Sequence, residues 1–322
     1  MSAVAEPSKG TEVRTPSAPA DLLLITSVSL WALSYSVVKF GLREIEPLAF
    51  PVIRYGIAGT ILLVILFLRE GSVGVRRDDF PLLGLVGLLA ITLGQASYVF
   101  ALANTSASDT ALLGATAPIM TTVMAAVVGL ERMGRRHWVA ACVAFAGVTL
   151  IVAGGTSMGY VESTLLGDAA ALASALVSSA STLPIVPLLR RYSAHRILTY
   201  EMLIGTLLML PFATPGLLHQ NYAAVTPAGW AALGYTIALS GIVTNLLYFV
   251  AIGRVGPSRA ALYQYLQSFL AVLFAVMLLG EHISIIQLFG GMIVVVGVIL
   301  GRSGIGRGPA APHAVPDSRL PA

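Results

Sequence analysis

The chain is built from ten apolar runs, each long enough to cross a bilayer as a helix and most of them separated by short polar connections. A spanning helix needs roughly 20 predominantly apolar residues. The runs fall at about residues 21–41, 48–68, 81–103, 108–130, 137–155, 165–188, 198–217, 228–252, 258–280 and 284–301. Of the 322 residues, 57% are hydrophobic and 11% charged. Soluble domains carry roughly 25% charged residues, so lipid must take the place of water around this chain. The expected fold class is an all-α membrane protein of ten transmembrane helices.

Several smaller features fit this reading. The run Leu22–Phe40 is longer than the apolar core of a signal peptide, so it is expected to stay as the first helix. Residues 1–19 and 302–322 are rich in Pro, Ser, Ala and Gly and read as disordered tails. The formal net charge of +4 is carried by basic residues scattered singly and in pairs, which points away from nucleic acid. The single cysteine, Cys142, cannot form an intrachain disulfide, and inside an apolar run it reads as a small packing group.

An internal repeat divides the chain. At an offset of 150, Tyr98 and Ala101 fall on Tyr248 and Ala251, Glu131 on Glu281, and Gly147 on Gly297. At the front of each half, an offset of 147 places Asp21 on Asp168, Ser27 on Ser174, Ser34 on Ser181 and Arg43 on Arg190. Chance similarity between apolar segments would match Leu and Val, but not acids, tyrosines and glycines in register. The expected organisation is therefore repeat 1 over 20–155, a Gly-containing linker over 156–164 and repeat 2 over 165–301.

Orientation follows from the basic residues. If both tails are cytoplasmic, all of the 19 Lys and Arg except Lys39, Arg43 and Arg54 lie on the cytoplasmic side. That is the distribution the positive-inside rule describes. Five helices per repeat is an odd number, so the second half must insert upside down relative to the first. Inverted repeats are a construction of secondary transporters, whose substrate site lies near the midplane between the halves.

Polar side chains inside a membrane are costly and should face the bundle interior or a cavity. Gln95 and Tyr98, three apart on the third segment, are matched by Asn245 and Tyr248 on the eighth. Ser174, Ser178 and Ser181 share one face of the sixth segment, as Ser27, Trp31 and Ser34 do on the first. Gln264, Gln267 and Ser268 share a face of the ninth. These would make a cavity of amides, hydroxyls and aromatic rings; each Ser could equally serve interhelical packing. Arg54, about two turns into the second segment, needs an acidic, carbonyl or aqueous partner, either a substrate carboxylate or a structural one. Glu201 reads as an interfacial acid or a proton-coupling carboxylate, and Lys39 as a side chain snorkelling to the interface. Glu131 and Glu281 read as structural groups at helix ends. Pro118 frees a backbone carbonyl in the fourth segment, giving a hinge or a packing bend. Ala140, Ala144 and Gly147 form a small-residue face, for contact within the chain or between protomers of a homodimer.

An enzyme is not expected. His-Glu-x-x-His, Gly-x-Ser-x-Gly and Walker sequences are all missing, and the five histidines are scattered. No cofactor or metal is expected. Without ATP-binding machinery, an ion gradient or the substrate's own gradient must drive any transport.

At the level of short motifs the chain resembles the EamA-type families of the drug/metabolite transporter superfamily, over about residues 20–301. The features that carry the resemblance are Leu30-Trp31-Ala32-Leu33-Ser34 with Lys39 and Gly41, then Glu46-Pro47-Leu48 with Arg54. They continue with Ala117-Pro118, with Gly129-Leu130-Glu131-Arg132, and with Leu278-Leu279-Gly280-Glu281. Leu130 interrupts the first Gly-Glu pair, Ser268 replaces a proline, and Ser178 stands where an aromatic is common. The resemblance implies a central cavity from helices 1–4 and 6–9, with helices 5 and 10 outside it, and export of amino acids or related metabolites from an inner or plasma membrane. The alternative is a non-transporting scaffold or a membrane-embedded enzyme acting on lipid, for which no reactive constellation is visible.

Overall fold

The computed structural model describes residues 20–117, 120, 123, 124, 135–157, 164–189, 191–255 and 257–302. Among these the structure is helical, without strands. In chain order the helices are α1 (Ala20–Gly41), α2 (Ala49–Glu70), α3 (Arg77–Asn104), α4 (Ala107–Gly114) and α5 (Arg135–Ser157). They continue with α6 (Leu165–Leu189), α7 (Ala194–His219), α8 (Pro227–Tyr235 running on through Thr236–Val243 and Thr244–Val255), α9 (Pro257–Leu279) and α10 (Ile285–Arg302). Among the described residues six of them, α1, α2, α3, α6, α7 and α8, are long and apolar enough to cross a membrane. The apolar stretches Leu266–Leu279 in α9 and Ile285–Gly297 in α10 are shorter. Much of the fourth expected segment, including Pro118 and Glu131, lies outside the described residues.

Helix ends follow local chemistry that hydropathy does not register. Ser193 accepts a hydrogen bond from Arg196 N–H at 3.2 Å and caps α7, so that helix begins four residues before the apolar run does. Thr226 caps α8 through Gly229 N–H, and Ser106 caps α4 through Asp109 N–H at 2.8 Å. Gly71 ends α2 at φ 64, in the left-handed region where glycine carries no Cβ penalty.

Close packing rests on glycine. A Cβ on Gly147 of α5 would lie 2.6 Å from Gly290 O of α10, and one on Gly290 would lie 2.8 Å from Gly147 O. The small face of α5 thus serves at Gly147 as an internal contact. Cys142, on the same helix, is exposed rather than packed as expected. Its position in an apolar run fixed its environment, lipid-compatible, but not its side of the helix. Gly205 of α7 meets α3 in the same way: its added Cβ would lie 2.6 Å from Gly87 O, and Thr92 Oγ1 donates to Gly205 O at 2.9 Å. Helices that gain nothing from excluding water against lipid associate through such contacts.

Polar contacts tie the loops at both ends of α7. At its start, Asp79 accepts from Arg191 Nη1 at 2.5 Å and from Tyr192 Oη at 2.7 Å, and Glu70 accepts from Arg196 Nη2 at 2.6 Å. At its end, Gln220 donates to Glu44 O and accepts from Glu46 N–H, while Glu44 accepts from Thr226. The replacement Gly205→Ala should force α3 and α7 apart and lower stability by about 1–3 kcal/mol. The measurement is thermal unfolding in detergent, and an unchanged transition would show that this contact can relax freely.

Candidate functional site

A cavity of about 460 Å³ lies among α1–α4 and α6–α9, and no described residue of α5 or α10 lines it. That volume is within the usual range for small-molecule sites. Twelve residues singled out from the sequence as cavity-forming stand on its wall: Trp31, Ser34, Arg54, Gln95, Tyr98, Ser174, Ser178, Ser181, Asn245, Gln264, Gln267 and Ser268. Glu201 stands there as well. Tyr248 supports the wall: its Oη accepts from Gln264 Nε2 at 2.9 Å, and its ring lies 5.0 Å from that of Trp31. The expected hinge at Pro118 is outside the described residues.

The hydroxyls divide their work. Ser34 Oγ donates to Trp31 O at 2.6 Å and Ser181 Oγ to Ser178 O at 2.7 Å, which holds them against their own helices. Ser174 Oγ donates across to Gly94 O at 3.0 Å, joining α6 to α3. For these serines the packing role and the wall position coexist.

Backbone geometry places the two amide–tyrosine pairs. In α3 a π-helical stretch, Leu88–Leu93, precedes Gln95 and Tyr98; in α8 another, Thr236–Val243, precedes Asn245 and Tyr248. An added Cβ would lie 2.9 Å from Leu89 O at Gly94, and 2.9 Å from Thr236 O at Gly241. Each widened turn therefore sets a glycine against the carbonyl five residues back. Such turns recur at functional sites because they displace side chains from regular helical register.

The sequence reading missed Tyr35, Tyr55, Thr110 and Ser240 on the wall. Tyr35 packs edge-on to Tyr98 with ring centroids 5.4 Å apart. Ser240 is the hydroxyl that meets Arg54, accepting from Nη2 at 3.2 Å. It sits inside the π-helical stretch, where a 3.6-residue period misplaces it. Arg54 is 6% exposed; its guanidinium lies 4.7 Å from the Tyr55 ring centroid, and its Nε has no hydrogen-bond partner. Neither Arg54 nor Glu201 forms an ion pair with another described residue. Among the described residues, no three His, Cys, Asp or Glu side chains gather at a place that could hold a metal ion.

A buried polar cluster joins α1, α4, α6, α10 and the segment after α9 outside the cavity wall. Glu281, just beyond α9, accepts from Ala107 N–H, Ser108 N–H and Ser108 Oγ at 2.6–2.9 Å, capping α4 in trans. Lys39 Nζ lies 3.6 Å from Glu281 Oε1 and donates to Thr105 O at 2.6 Å. Lys39 is thus an inward-held partner, not the snorkelling side chain expected: the Glu281 carboxylate and the Thr105 carbonyl compete successfully with the interface for its ammonium. Asp168 accepts from Thr105 Oγ1 at 2.7 Å, and Asp109 accepts from Gln287 Nε2 at 2.5 Å, drawing in α6 and α10.

The model of the EamA-like transporter family matches residues 18–153 and again residues 165–301. The sequence is 29% identical over 296 residues to a "Probable terminal-alkyne amino-acid exporter" of Streptantibioticus cattleyicolor, covering 87% of this chain and 96% of that one. It is 26% identical over 279 residues to an uncharacterized transporter of Archaeoglobus fulgidus, covering 87% and 96%. It is 27% identical over 294 residues to the uncharacterized inner membrane transporter YedA of Escherichia coli K12, covering 89% and 92%. A crystal structure at 17% identity shares the fold, with a TM-score of 0.61 over 87% of this chain and 95% of the other.

The buried polar cluster makes a separate prediction. Glu281→Ala should strip Lys39 of its carboxylate and leave the Ala107 and Ser108 N–H groups without their acceptor, lowering stability by about 3–5 kcal/mol. Glu281→Gln, which keeps an acceptor, should cost less. Thermal unfolding in detergent reads the difference, and equal transitions for the two variants would mean that the neutral acceptor contributes nothing and that the loss comes from the charge.

Proposed function

The chain belongs to the EamA-like transporter family and is a multi-pass membrane protein, and from that premise we propose that it is a secondary active transporter. In this reading it exports small metabolites, such as amino acids or related compounds, across the inner or plasma membrane by alternating access. The observation that carries the reading is the cavity itself. It is lined by eight helices, four from each matched region, and it collects amides, hydroxyls, aromatic rings, Arg54 and Glu201 where lipid would otherwise make them costly. The named exporter among the relatives supports the direction of transport.

The finer architecture belongs to the same proposal. Repeat 1 spans residues 20–155 and repeat 2 spans 165–301, each crossing the membrane five times, the second inverted relative to the first. Paired π-helical stretches ahead of Gln95/Tyr98 and Asn245/Tyr248 support the duplication. Both termini are cytoplasmic, which leaves only Lys39, Arg43 and Arg54 of the basic residues off the inner side. The Lys39–Glu281 cluster then closes the outer end, and outward opening requires its separation.

Purified protein in liposomes tests this. A panel of labelled amino acids and toxic metabolite analogues should include at least one compound with protein-dependent flux. For that compound Gln95→Ala and Tyr248→Ala should each lower transport by about tenfold, the effect of losing one well-placed contact. Normal flux in both variants, at normal protein levels, would reject the cavity as the substrate site.

A further inference from the structure

Arg54 and Glu201 are the two ionisable side chains with opposite charges on the cavity wall, and they occupy matching positions in the two halves. The 147-residue offset that pairs Asp21 with Asp168 and Ser34 with Ser181 also pairs Arg54 with Glu201. The frame repeats while the charge reverses.

Their separation follows from helix register. An added Cβ on Gly56 would lie 3.5 Å from Thr206 Cγ2, and one on Gly59 would lie 2.9 Å from Leu203 Cδ2. Both pairs sum to 262, which fixes α2 and α7 as antiparallel neighbours. Arg54 is therefore level with Leu208, seven residues along α7 from Glu201, or ~10 Å at ~1.5 Å per residue. Helical Cα–Cβ bonds tilt toward their own N-termini, and here the N-termini point apart, which adds to the distance. The two charges stand toward opposite ends of the cavity and do not neutralise each other.

Each lacks what it would need in a closed apolar interior. The Arg54 guanidinium has a neutral hydroxyl and a ring as partners, and its buried Nε has none. A buried cation in this state calls for an anion, and the fork geometry of arginine suits a carboxylate. Glu201, without an ion pair among the described residues, is the complementary seat for an ammonium.

We propose that the cavity selects an extended amphoteric metabolite, with a carboxylate held by Arg54 and a cationic amine several bonds away held by Glu201. A compact zwitterion, whose charges sit on neighbouring atoms, can satisfy one seat but not both. The proposal rests on the transporter reading for its physiological meaning, but not for its binding chemistry.

The test uses full-length protein and four six-carbon probes: 6-aminohexanoate with both charges at its ends, hexanoate, hexylamine, and norleucine with both charges at one end. Isothermal titration should give 6-aminohexanoate about tenfold or greater preference over each of the others, as expected for one extra charge-assisted contact. Arg54→Gln should abolish the advantage over hexylamine and Glu201→Gln the advantage over hexanoate. Thermal unfolding of each variant shows whether it is folded, and the wild-type series decides without them. Equal or tighter binding of norleucine would overturn the proposal, as would an advantage over hexanoate that survives Glu201→Gln. Flux in the same vesicles separates the two readings. Transport of some other solute with no preference among the probes rejects this inference and keeps the transporter. Selective binding with no flux of any solute keeps the site and rejects transport.

Discussion

Hydrocarbon offers no hydrogen bonds, and the rest of this structure follows from that constraint. Backbone groups must pair within helices, and polar side chains must pair with one another or surround a space of their own. The described polar residues of the spans do both. Ser27, Ser34, Ser181 and Asn245 return hydrogen bonds to their own helices, through Leu23, Trp31, Ser178 and Gly241. Lys39, Glu281, Asp109 and Asp168 meet in a buried cluster at one end. Arg54, Gln95, Tyr98, Glu201, Gln264 and Gln267 line the cavity. A polar-walled space inside an apolar bundle is therefore where this sequence gathers many of its membrane-embedded polar groups.

The second constraint is that helices in lipid gain little from hiding apolar surface from one another. Association then depends on how closely backbones approach. Gly87 with Gly205, and Gly147 with Gly290, bring α3 to α7 and α5 to α10 at distances no side chain would allow. The α5–α10 pair is packed in this way beside the cavity-lining helices without contributing to the wall. The α3–α7 pair brings the backbone beside Glu201 against the helix that carries Gln95 and Tyr98: an added Cβ on Gly87 would lie 3.2 Å from Glu201 O.

How much of this was legible in the sequence depends on which kind of signal each feature carries. Long apolar runs and inward polar residues are written at the scale of helix turns, so the six long apolar spans among the described residues and twelve wall residues could be read directly. The start of α7 could not be read from hydropathy, because its first turn is polar and is fixed by the Ser193 cap. Ser240 was missed because a π-helical stretch shifts the register on which face assignments rely. Lys39 was misread as snorkelling because its partner, Glu281, is distant in sequence. Cys142 was misplaced because composition says that a segment is apolar without saying which side meets lipid.

The two halves agree in frame and differ in charge, and the difference is where selectivity can reside. The amide and tyrosine pairs, Gln95/Tyr98 and Asn245/Tyr248, repeat in kind, so each half offers similar neutral contacts. A cavity of such contacts alone would give a solute no preferred orientation between the halves. Arg54 and Glu201 remove that equivalence. They stand at positions related by the repeat offset, and the antiparallel register of α2 and α7 sets them on either side of the Gly56–Gly59 crossing. On the proposed alternating-access reading, a repeated frame would let the same helices open toward either side with similar packing. Reversed charge at one repeated position lets that frame hold a polar solute in one direction without disturbing the packing that both halves share.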